Sequence, residues 1–243
     1  DLVIIGNAVS QTNPEVQALL QTKIPYLSMP QAIREFCLPH KKSLVVAGTH
    51  GKTTTTSLLA WVLSQVEEET SFFVGGIPKN FNCSFQLNDS RYFVIEGDEY
   101  DTAFFDKGPK FLHYNPFGVI LTGIEFDHAD IYRDLDHLMG SFQQLLKLIP
   151  TEGVLLVCGD SPNALKLIET TPLLSAFVIP YGLGAMAGFH AAGVEFTPEG
   201  VQFKLFFEDQ SLGNFSSPMA GKHNLQNLLG VIGLLLQLKM IER

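Results

Sequence analysis

The sequence has little cysteine, and this scarcity excludes two kinds of cysteine chemistry. Its 243 residues contain three cysteines, Cys37, Cys83 and Cys158, which are widely spaced and form no CxxC pair. Such a set supports neither a disulfide framework nor a zinc site, because both need clustered or regularly spaced cysteines. The cysteine usage indicates a reducing compartment and predicts a cytoplasmic protein.

Positive charge and long apolar runs are also scarce. The chain has 16 Lys and Arg against 25 Asp and Glu, a formal net charge of −9, whereas a general nucleic-acid binder needs clustered cations. A membrane-spanning helix needs about 20 consecutive apolar residues, and the most apolar stretch, 228–238, is shorter. We therefore predict no nucleic-acid partner and no membrane span, and nothing in the sequence indicates an obligate protein partner.

The two ends of the chain suggest a piece of a larger protein. The sequence begins without Met on an apolar run at Leu2 and stops directly after a predicted helix. We interpret the chain as a fragment.

Strand-like runs alternate with helix-like runs along most of the chain, which is typical of a parallel sheet with crossover helices. We predict an α/β fold in which a mostly parallel, P-loop NTPase-like sheet is flanked by helices, with a small β-rich patch over 194–215. The polar stretch 39–43 predicts a linker. Residues 1–40 would then belong to a first domain, and residues 41–243 to a second, larger domain.

The element predictions follow from apolar periodicity and from turn residues. Strands are predicted over 2–5, 26–28, 44–47, 92–95, 119–122, 154–157, 177–179, 194–196, 201–207 and 212–215. Helices are predicted over 14–21, 30–36, 52–66, 135–148, 161–169 and 224–238.

The strongest local signal is a glycine loop between a predicted strand and a predicted helix. Residues 47–56 read Ala-Gly-Thr-His-Gly-Lys-Thr-Thr-Thr-Thr. A helix that begins at Lys52 directs backbone N–H groups and the positive end of its dipole at an anion. We predict that Lys52 contacts the outer phosphates of a nucleotide and that the Thr53 hydroxyl binds Mg²⁺. The predicted nucleotide contacts here are Gly48, Thr49, His50, Gly51, Lys52, Thr53 and Thr54.

The loop departs from the usual pattern at one position, and it has one alternative interpretation. The usual phosphate loop has glycine where Val46 stands, so the spacing is a variant. An ordinary strand–turn–helix joint with a solvated lysine is the alternative. Threonines are poor helix formers, however, so a run of four at a helix start favours a functional reason.

Acidic residues follow the next predicted strand. Glu96 ends the apolar run 92–95, and Asp98, Glu99 and Asp101 come after it. A carboxylate at the end of a neighbouring strand is where a nucleotide site holds Mg²⁺, and clustered carboxylates favour a bound cation. A solvated acidic turn is the equally weighted alternative.

A histidine flanked by acids follows the third predicted strand. His128 lies between Asp127 and Asp130, and could bind a second metal ion or contact a reacting phosphate. The alternative is a surface histidine that is hydrogen-bonded to its neighbours and binds no ligand.

The start of the last predicted helix carries two asparagines. Asn224 and Asn227 lie three residues apart on one helical face, with His223 beside them. Their carboxamides can pair with a donor–acceptor edge such as that of adenine. A helix cap is the alternative, because asparagine caps helices well.

Taken together and in this order, these four segments resemble the Mur ligase family. The resemblance implies three domains: a Rossmann-like, UDP-binding N-terminal domain whose tail is residues 1–40, a central ATPase domain over 41–243, and an amine-binding C-terminal domain. It implies ATP and Mg²⁺ as cofactors. It also implies that Asn7 and Ser10 lie near the UDP-sugar and that Asn80 faces the substrate.

The implied chemistry is ATP-dependent amide-bond formation in peptidoglycan metabolism. A muramyl carboxylate attacks the γ-phosphoryl group of ATP, and an amine then displaces phosphate from the acyl phosphate. Lys52, Glu96 and His128 are the implied catalytic residues, with Thr53 and Glu96 on the first metal ion and His128 on the second. Segment 140–144 has no lysine, so we expect no carbamylated lysine of the kind that several members of the family carry.

The runs 99–107 and 110–114 resemble the branch of the family that joins UDP-N-acetylmuramate to the murein tripeptide. Two departures, at 115–117 and at Thr122-Gly123, affect expected substrate contacts. Alternatives within the class are a muramate–alanine ligase and a folylpolyglutamate-synthase-like enzyme. Outside it, a nucleotide-dependent switch would need an Asn-Lys-x-Asp motif, which the sequence lacks, and a non-catalytic nucleotide-binding module remains open.

Overall fold

A computed structural model describes residues 1–67, 69–126, 131–172, 174–184 and 188–241. The first forty residues contain a parallel pair of strands and two helices: β1 (Val3–Ile5), α1 (Pro14–Leu20), β2 (Tyr26–Ser28) and α2 (Met29–Phe36). Asn13 caps α1, since its side chain accepts a hydrogen bond from the N–H of Glu15 at 2.8 Å. Ser28 begins α2 with a capping box that involves Gln31.

A ten-stranded sheet with a separate hairpin forms the rest of the β-structure. The strands are β3 (Lys42–Ala47), β4 (Ser71–Phe73), β5 (Phe85–Gln86), β6 (Tyr92–Gly97), β7 (Asp101–Ala103), β8 (Asp106–Pro109), β9 (Pro116–Leu121), β10 (Val154–Cys158), β11 (Phe177–Gly182), β12 (Phe189–Thr197), β13 (Gly200–Phe207) and β14 (Gln210–Ser217). The sheet order is β14-β13-β12-β11-β10-β9-β3-β6-β4-β5, and β7 pairs with β8 in a separate two-stranded sheet. All neighbours from β12 to β4 run parallel, while β13, β14 and β5 are antiparallel to their partners.

Among the described residues, four further α-helices, α3 (Lys52–Val66), α4 (Leu135–Lys147), α5 (Pro162–Thr170) and α6 (Lys222–Gln237), cover the two faces of this sheet, and a short 3-10 helix spans Lys110–His113. Strand β3 illustrates how the helices bury both faces. Leu44 and Val46 pack into a cluster with residues of α3 and α6, whereas Val45 and Ala47 pack into a second cluster with residues of α4 and α5. Successive side chains of a strand point to opposite faces, so a strand covered on both sides is apolar throughout.

The antiparallel end of the sheet follows a different pattern. In β13, Val201, Phe203 and Leu205 are buried while Gln202 and Lys204 are exposed. This alternation is typical of a sheet with one solvated face. It accounts for the β-rich patch.

The predicted fold class is confirmed. The bounds of α3 and β2 are those predicted, and the other predicted elements are present with shifted ends. Four short strands were not predicted: β4, β5, β7 and β8. Helix α6 begins at Lys222 after the N-cap Gly221, two residues earlier than predicted, so Asn224 lies within its first turn and the interpretation of Asn224 as a cap is wrong. Within the described ranges, no helix is both long and apolar enough to cross a membrane.

Candidate functional site

The predicted residues of the glycine loop, Glu96, His223 and Asn227 lie at the carboxyl ends of the parallel strands β3, β6, β9 and β10, where ligands of open parallel sheets bind. Two clefts open there. The loop cleft, of ≈ 580 Å³, is lined by residues 49–54, Gly75, Glu96, Asp98 and Tyr100. The helix cleft, of ≈ 420 Å³, is lined by His50, Gly51, residues 122–125, Cys158, residues 160–163, His223, Gln226 and Asn227. The clefts share His50 and Gly51, so an elongated ligand can occupy both.

The glycine loop connects β3 to α3 and requires its two glycines. Gly48 has φ +130° and Gly51 has φ +81°, a region that favours glycine. A Cβ at Gly48 would collide with the Thr122 side chain and the backbone of Gly123. A Cβ at Gly51 would lie 2.9 Å from Oδ1 of Asn227. The loop therefore approaches its neighbours more closely than any side chain would allow.

Hydrogen bonds hold this loop against the segment that follows β9. The N–H of Thr49 donates to the carbonyl of Gly123 at 2.8 Å. The Thr49 hydroxyl donates to the carbonyl of Glu125 and accepts from its N–H, both at 3.0 Å. The Thr122 hydroxyl donates to the carbonyl of His50 at 2.7 Å. The loop is thus fixed by main-chain partners before any ligand binds.

Helix α3 begins without a side-chain cap. Its N-cap is Gly51, and no side chain in the described part of the chain caps its first turn. The uncapped N–H groups and the helix dipole create a positive potential, and Lys52, Thr53 and Thr54 of that turn line the loop cleft. The start of α3 can therefore hold an anion such as a phosphate.

Two of the four threonines have clear structural partners. The Thr56 hydroxyl donates to the carbonyl of Lys52 at 2.8 Å. The Thr53 hydroxyl instead leaves the helix and donates to Oε1 of Glu96 at 2.7 Å. Oε2 of Glu96 accepts from the N–H of Gly75 at 2.8 Å. The structure thus brings Thr53 and Glu96 together across the loop cleft, and both are hard oxygen ligands suited to Mg²⁺.

Lys52 lies beside this pair. Its ammonium group donates to the carbonyls of Gly48 and Thr49 at 2.8 and 3.2 Å and to Oε1 of Glu99 at 3.0 Å. The Glu99 side chain is 1% exposed. Burial raises the pKa of Glu99, and the charge of Lys52 opposes that rise.

The acidic residues after β6 do not form one cation-binding cluster, and that interpretation is wrong. Asp98 pairs with Lys110 at 2.6 Å, and Asp101 pairs with Lys107 at 3.0 Å. Each carboxylate is compensated separately because the chain turns into the β7–β8 hairpin. Within the described ranges, no group of three or more His, Cys, Asp and Glu side chains is placed to hold a metal ion. Asp127, His128 and Asp130 lie outside the described residues, so the predicted metal role of His128 stays a prediction.

The two asparagines of α6 have different surroundings. The Asn227 side chain is 7% exposed, lines the cleft, and receives no hydrogen bond from the residues that the structure describes. The Asn224 carboxamide donates to the carbonyl of Ala220 at 2.8 Å, and Asn224 is not among the described residues that line either cleft. His223 is exposed and lines the helix cleft.

Sequence reasoning missed the wall of the helix cleft that follows β10. Oδ2 of Asp160 accepts hydrogen bonds from the Gln226 amide at 2.7 Å and from the N–H of Leu183 at 2.8 Å. Asn163 donates to the carbonyl of Ile124 at 2.9 Å. The sequence contains a signal for this wall, because Asp160 and Ser161 follow a buried strand at the same sheet edge as Lys52.

The three predicted substrate residues lie elsewhere. Asn7 and Ser10 are exposed residues after β1, and the Ser10 hydroxyl is 2.9 Å from that of Thr12. Asn80 is exposed in a turn. None of the three lines either of the two clefts.

The family model described as "Mur ligase middle domain" matches residues 46–235. The chain belongs to the Mur ligase family. The match covers the glycine loop, Glu96, the helix cleft and Asn227.

Individual relatives agree with this membership. The chain is 38% identical over 232 residues, 96% of its length, to the UDP-N-acetylmuramate–L-alanyl-γ-D-glutamyl-meso-2,6-diaminoheptandioate ligase of Escherichia coli (strain K12), of which it covers 50%. It is 35% identical to the UDP-N-acetylmuramate–L-alanine ligase of Myxococcus xanthus (strain DK1622), covering 96% of this chain and 47% of the relative. The chain spans about half the length of the curated relatives that it matches.

The fold has a close counterpart among solved structures. The crystal structure of UDP-N-acetylmuramate:L-alanyl-γ-D-glutamyl-meso-diaminopimelate ligase from Neisseria meningitides superposes with a TM-score of 0.89 at 36% identity. The superposition covers 98% of this chain and 74% of that chain. The two-stranded β1–β2 unit and the ten-stranded sheet therefore both lie within the matched Mur ligase region.

Proposed function

We propose that the chain is the ATP-binding part of a ligase that joins UDP-N-acetylmuramate to the murein tripeptide L-Ala-γ-D-Glu-meso-diaminopimelate. The observation that carries the proposal is the meeting of Lys52, Thr53 and Glu96 at the uncapped start of α3. The names of the relatives from Escherichia coli and Neisseria meningitides support the choice of substrates.

In this proposal ATP lies across both clefts. Its phosphates contact the N–H groups of the first turn of α3 and the Lys52 ammonium. Its base enters the helix cleft, where the buried Asn227 carboxamide offers both a donor and an acceptor. His50 and Gly51 border both clefts and lie between the phosphate end and the base end.

Thr53 and Glu96 are the proposed ligands of a Mg²⁺ ion, and His128 the proposed ligand of a second. The fit is chemical: the two described side chains are oxygen donors, already 2.7 Å apart at the edge of the loop cleft. When bound, Mg²⁺ neutralises phosphate charge.

The residues of the chain then stabilise charge while the muramyl carboxylate attacks the γ-phosphoryl group and ADP leaves. Lys52 and the α3 N–H groups are directed at the oxygens on which negative charge develops. The tripeptide amine next attacks the acyl carbon and forms a C–N bond. The tetrahedral intermediate then breaks its C–O bond to release inorganic phosphate, and the nitrogen loses a proton to solvent. Positioning and electrostatics, with no protein nucleophile, are what such phosphoryl transfer requires.

The remaining assignments belong to the same proposal. Residues 1–40 are the tail of the UDP-binding domain and residues 41–243 the central ATPase domain. Asn7, Ser10 and Asn80 contact the UDP-sugar or its muramyl end. A cytoplasmic location, where ATP is available, completes the proposal.

Product analysis tests the function. The natural protein that contains this chain is incubated with ATP, Mg²⁺, UDP-N-acetylmuramate and either the tripeptide or L-alanine, and mass spectrometry identifies the products. We expect UDP-muramyl-tripeptide and ADP. The chain is also 35% identical to an L-alanine ligase. Formation of UDP-muramyl-alanine instead would show that the protein is a muramate–alanine ligase and that this proposal is wrong. Nucleotide binding without either product would indicate a binding module.

A further inference from the structure

The ammonium group of Lys52 has no donor to spare. A lysine ammonium carries three N–H donors and no acceptor. Its three partners among the described residues are the carbonyls of Gly48 and Thr49, at 2.8 and 3.2 Å, and the carboxylate of Glu99, at 3.0 Å. A phosphate can gain a hydrogen bond from this group only by displacing one of those partners.

Of the three partners, Glu99 is the one that also neutralises the charge. Both of its carboxylate oxygens lie 3.0 Å from the ammonium nitrogen, and its side chain is 1% exposed while that of Lys52 is 13% exposed. A pair so poorly solvated interacts far more strongly than an exposed one. The charge that the start of α3 presents to an anion is therefore reduced by Glu99.

Glu99 is held in place by its own neighbours. The Tyr132 hydroxyl donates to the Glu99 carbonyl at 2.6 Å in a buried contact. Asp98, directly before it, is engaged with Lys110 at 2.6 Å, so Lys110 is not available to replace Lys52. Glu99 is not among the residues that line the loop cleft, although Asp98 and Tyr100 on either side of it are.

We propose that Glu99 is a positioning residue that holds and neutralises Lys52 in the nucleotide-free protein, so that the phosphates of the nucleotide compete with Glu99 for the ammonium group. The inference rests on the proposed function for the identity of the nucleotide. It adds a residue that sets the affinity of the site without touching the ligand. Its consequence is unusual for a residue beside a phosphate site, because removal of the Glu99 charge should strengthen binding.

The experiment measures ATP affinity, in the presence of Mg²⁺, by calorimetry on the full 243-residue chain. Glu99→Gln keeps the shape of the side chain and removes its charge, and we expect the dissociation constant for ATP to fall about tenfold. Glu99→Asp keeps the charge but shortens the side chain and weakens its contact with Lys52, so we expect a fall of about twofold. The second variant gives a result even where the first does not fold.

Two comparisons separate a local effect from a general one. Asp101→Asn removes the same charge from the same acidic run, but its partner Lys107 is 70% exposed, so the affinity should change by less than about twofold. In a Lys52→Ala background, Glu99→Gln should no longer produce its full gain, because the residue acts through Lys52. A residue with a merely structural role would not produce a gain that depends on Lys52.

A second readout does not involve a nucleotide. Acylation of lysines by acetic anhydride, followed by mass spectrometry, should modify Lys52 several times faster in Glu99→Gln than in the wild type, with Lys107 as the internal standard. Unchanged or weaker ATP binding by a folded Glu99→Gln variant, beside normal binding by the wild type, would overturn the role of Glu99 alone. Absence of ATP binding from the wild type and all variants would overturn the proposed function and this inference with it.

Discussion

Asn227 lies directly beside Gly51: its Oδ1 atom is 2.9 Å from the position that a Cβ atom at Gly51 would occupy. Gly51 is the N-cap of α3, and Asn227 lies near the start of α6. The starts of the two helices therefore meet at one point between the loop cleft and the helix cleft. This meeting gives the two clefts a fixed spacing, and it makes both residues sensitive to substitution.

Gly51→Ala should destabilise the protein by about 1–3 kcal/mol, because φ is +81° and the methyl group would meet Asn227. Gly140→Ala is the matched control. Gly140 lies inside α4 with open space around its Cβ position, so alanine should stabilise by about 0.5–1 kcal/mol. Urea unfolding measures both. Equal effects at the two positions would contradict the close approach at Gly51.

Asn227→Ala should weaken ATP binding about tenfold, because the lost carboxamide would have supplied about one or two hydrogen bonds to the base. Inorganic tripolyphosphate, which has no base, should bind equally well to the variant and the wild type. Asn224→Ala is the comparison: its carboxamide is engaged with Ala220 at 2.8 Å, and we expect a smaller loss. A larger loss of affinity in Asn224→Ala would mean that Asn224, and not Asn227, contacts the base.

Lys52→Ala should weaken ATP binding by about 100-fold, since it removes the cation that contacts the phosphates. Calorimetry measures the affinity, and circular dichroism verifies the fold. Lys107→Ala, at a position 70% exposed, is the control that should bind normally. Unchanged affinity in folded Lys52→Ala protein would remove the basis for a phosphate site at α3.

The same substitution should also destabilise the fold. With Lys52 gone, Glu99 remains buried without its cation, and breaking such a pair costs about 3–5 kcal/mol. Adding Glu99→Gln to Lys52→Ala should recover most of that loss, because the uncompensated charge disappears with it. Chemical denaturation of the two single variants and the double variant gives the coupling energy. Additive losses would mean that the pair contributes nothing to stability.

The 243-residue chain alone should bind ATP but form no UDP-muramyl-tripeptide. The proposed reaction needs an acceptor amine held beside the acyl phosphate. Such positioning lowers the activation free energy by about 7–11 kcal/mol. The chain spans about half the length of its relatives. Mass spectrometry of the chain beside the natural protein decides the question. Product from the chain at a comparable rate would place the whole apparatus within these residues.

The sequence predicted the loop and α3 well because local rules determine both. Glycine at position 51 and the apolar pattern after Lys52 define the helix start and its buried face. Strands β4 and β5 escaped prediction because they have only three and two residues, too few for a periodicity to be visible. Strands β7 and β8 were hidden in an acidic run, where Asp101 and Asp106 are poor strand formers.

Tertiary pairing of side chains lay beyond the sequence for a different reason. Lys52 and Glu99 are 47 residues apart, and no spacing rule connects them. Four carboxylates within six positions suggested a shared cation, yet three of them found separate lysines once the chain turned at the β7–β8 hairpin. The nature of the residues predicted the chemistry available at the sheet edge, and the packing decided which groups meet.

The contact between Thr49 and Glu125 bears on how this sequence can change over evolutionary time. The Thr49 hydroxyl binds the N–H and the carbonyl of residue 125, which every residue type except proline provides. This contact therefore makes no demand on the side chain at position 125, whereas position 49 needs a side chain with a small hydroxyl group. The same asymmetry holds for Thr122, whose hydroxyl binds the carbonyl of His50. Among homologous sequences we expect hydroxyl residues to persist at 49 and 122 opposite partners of any identity.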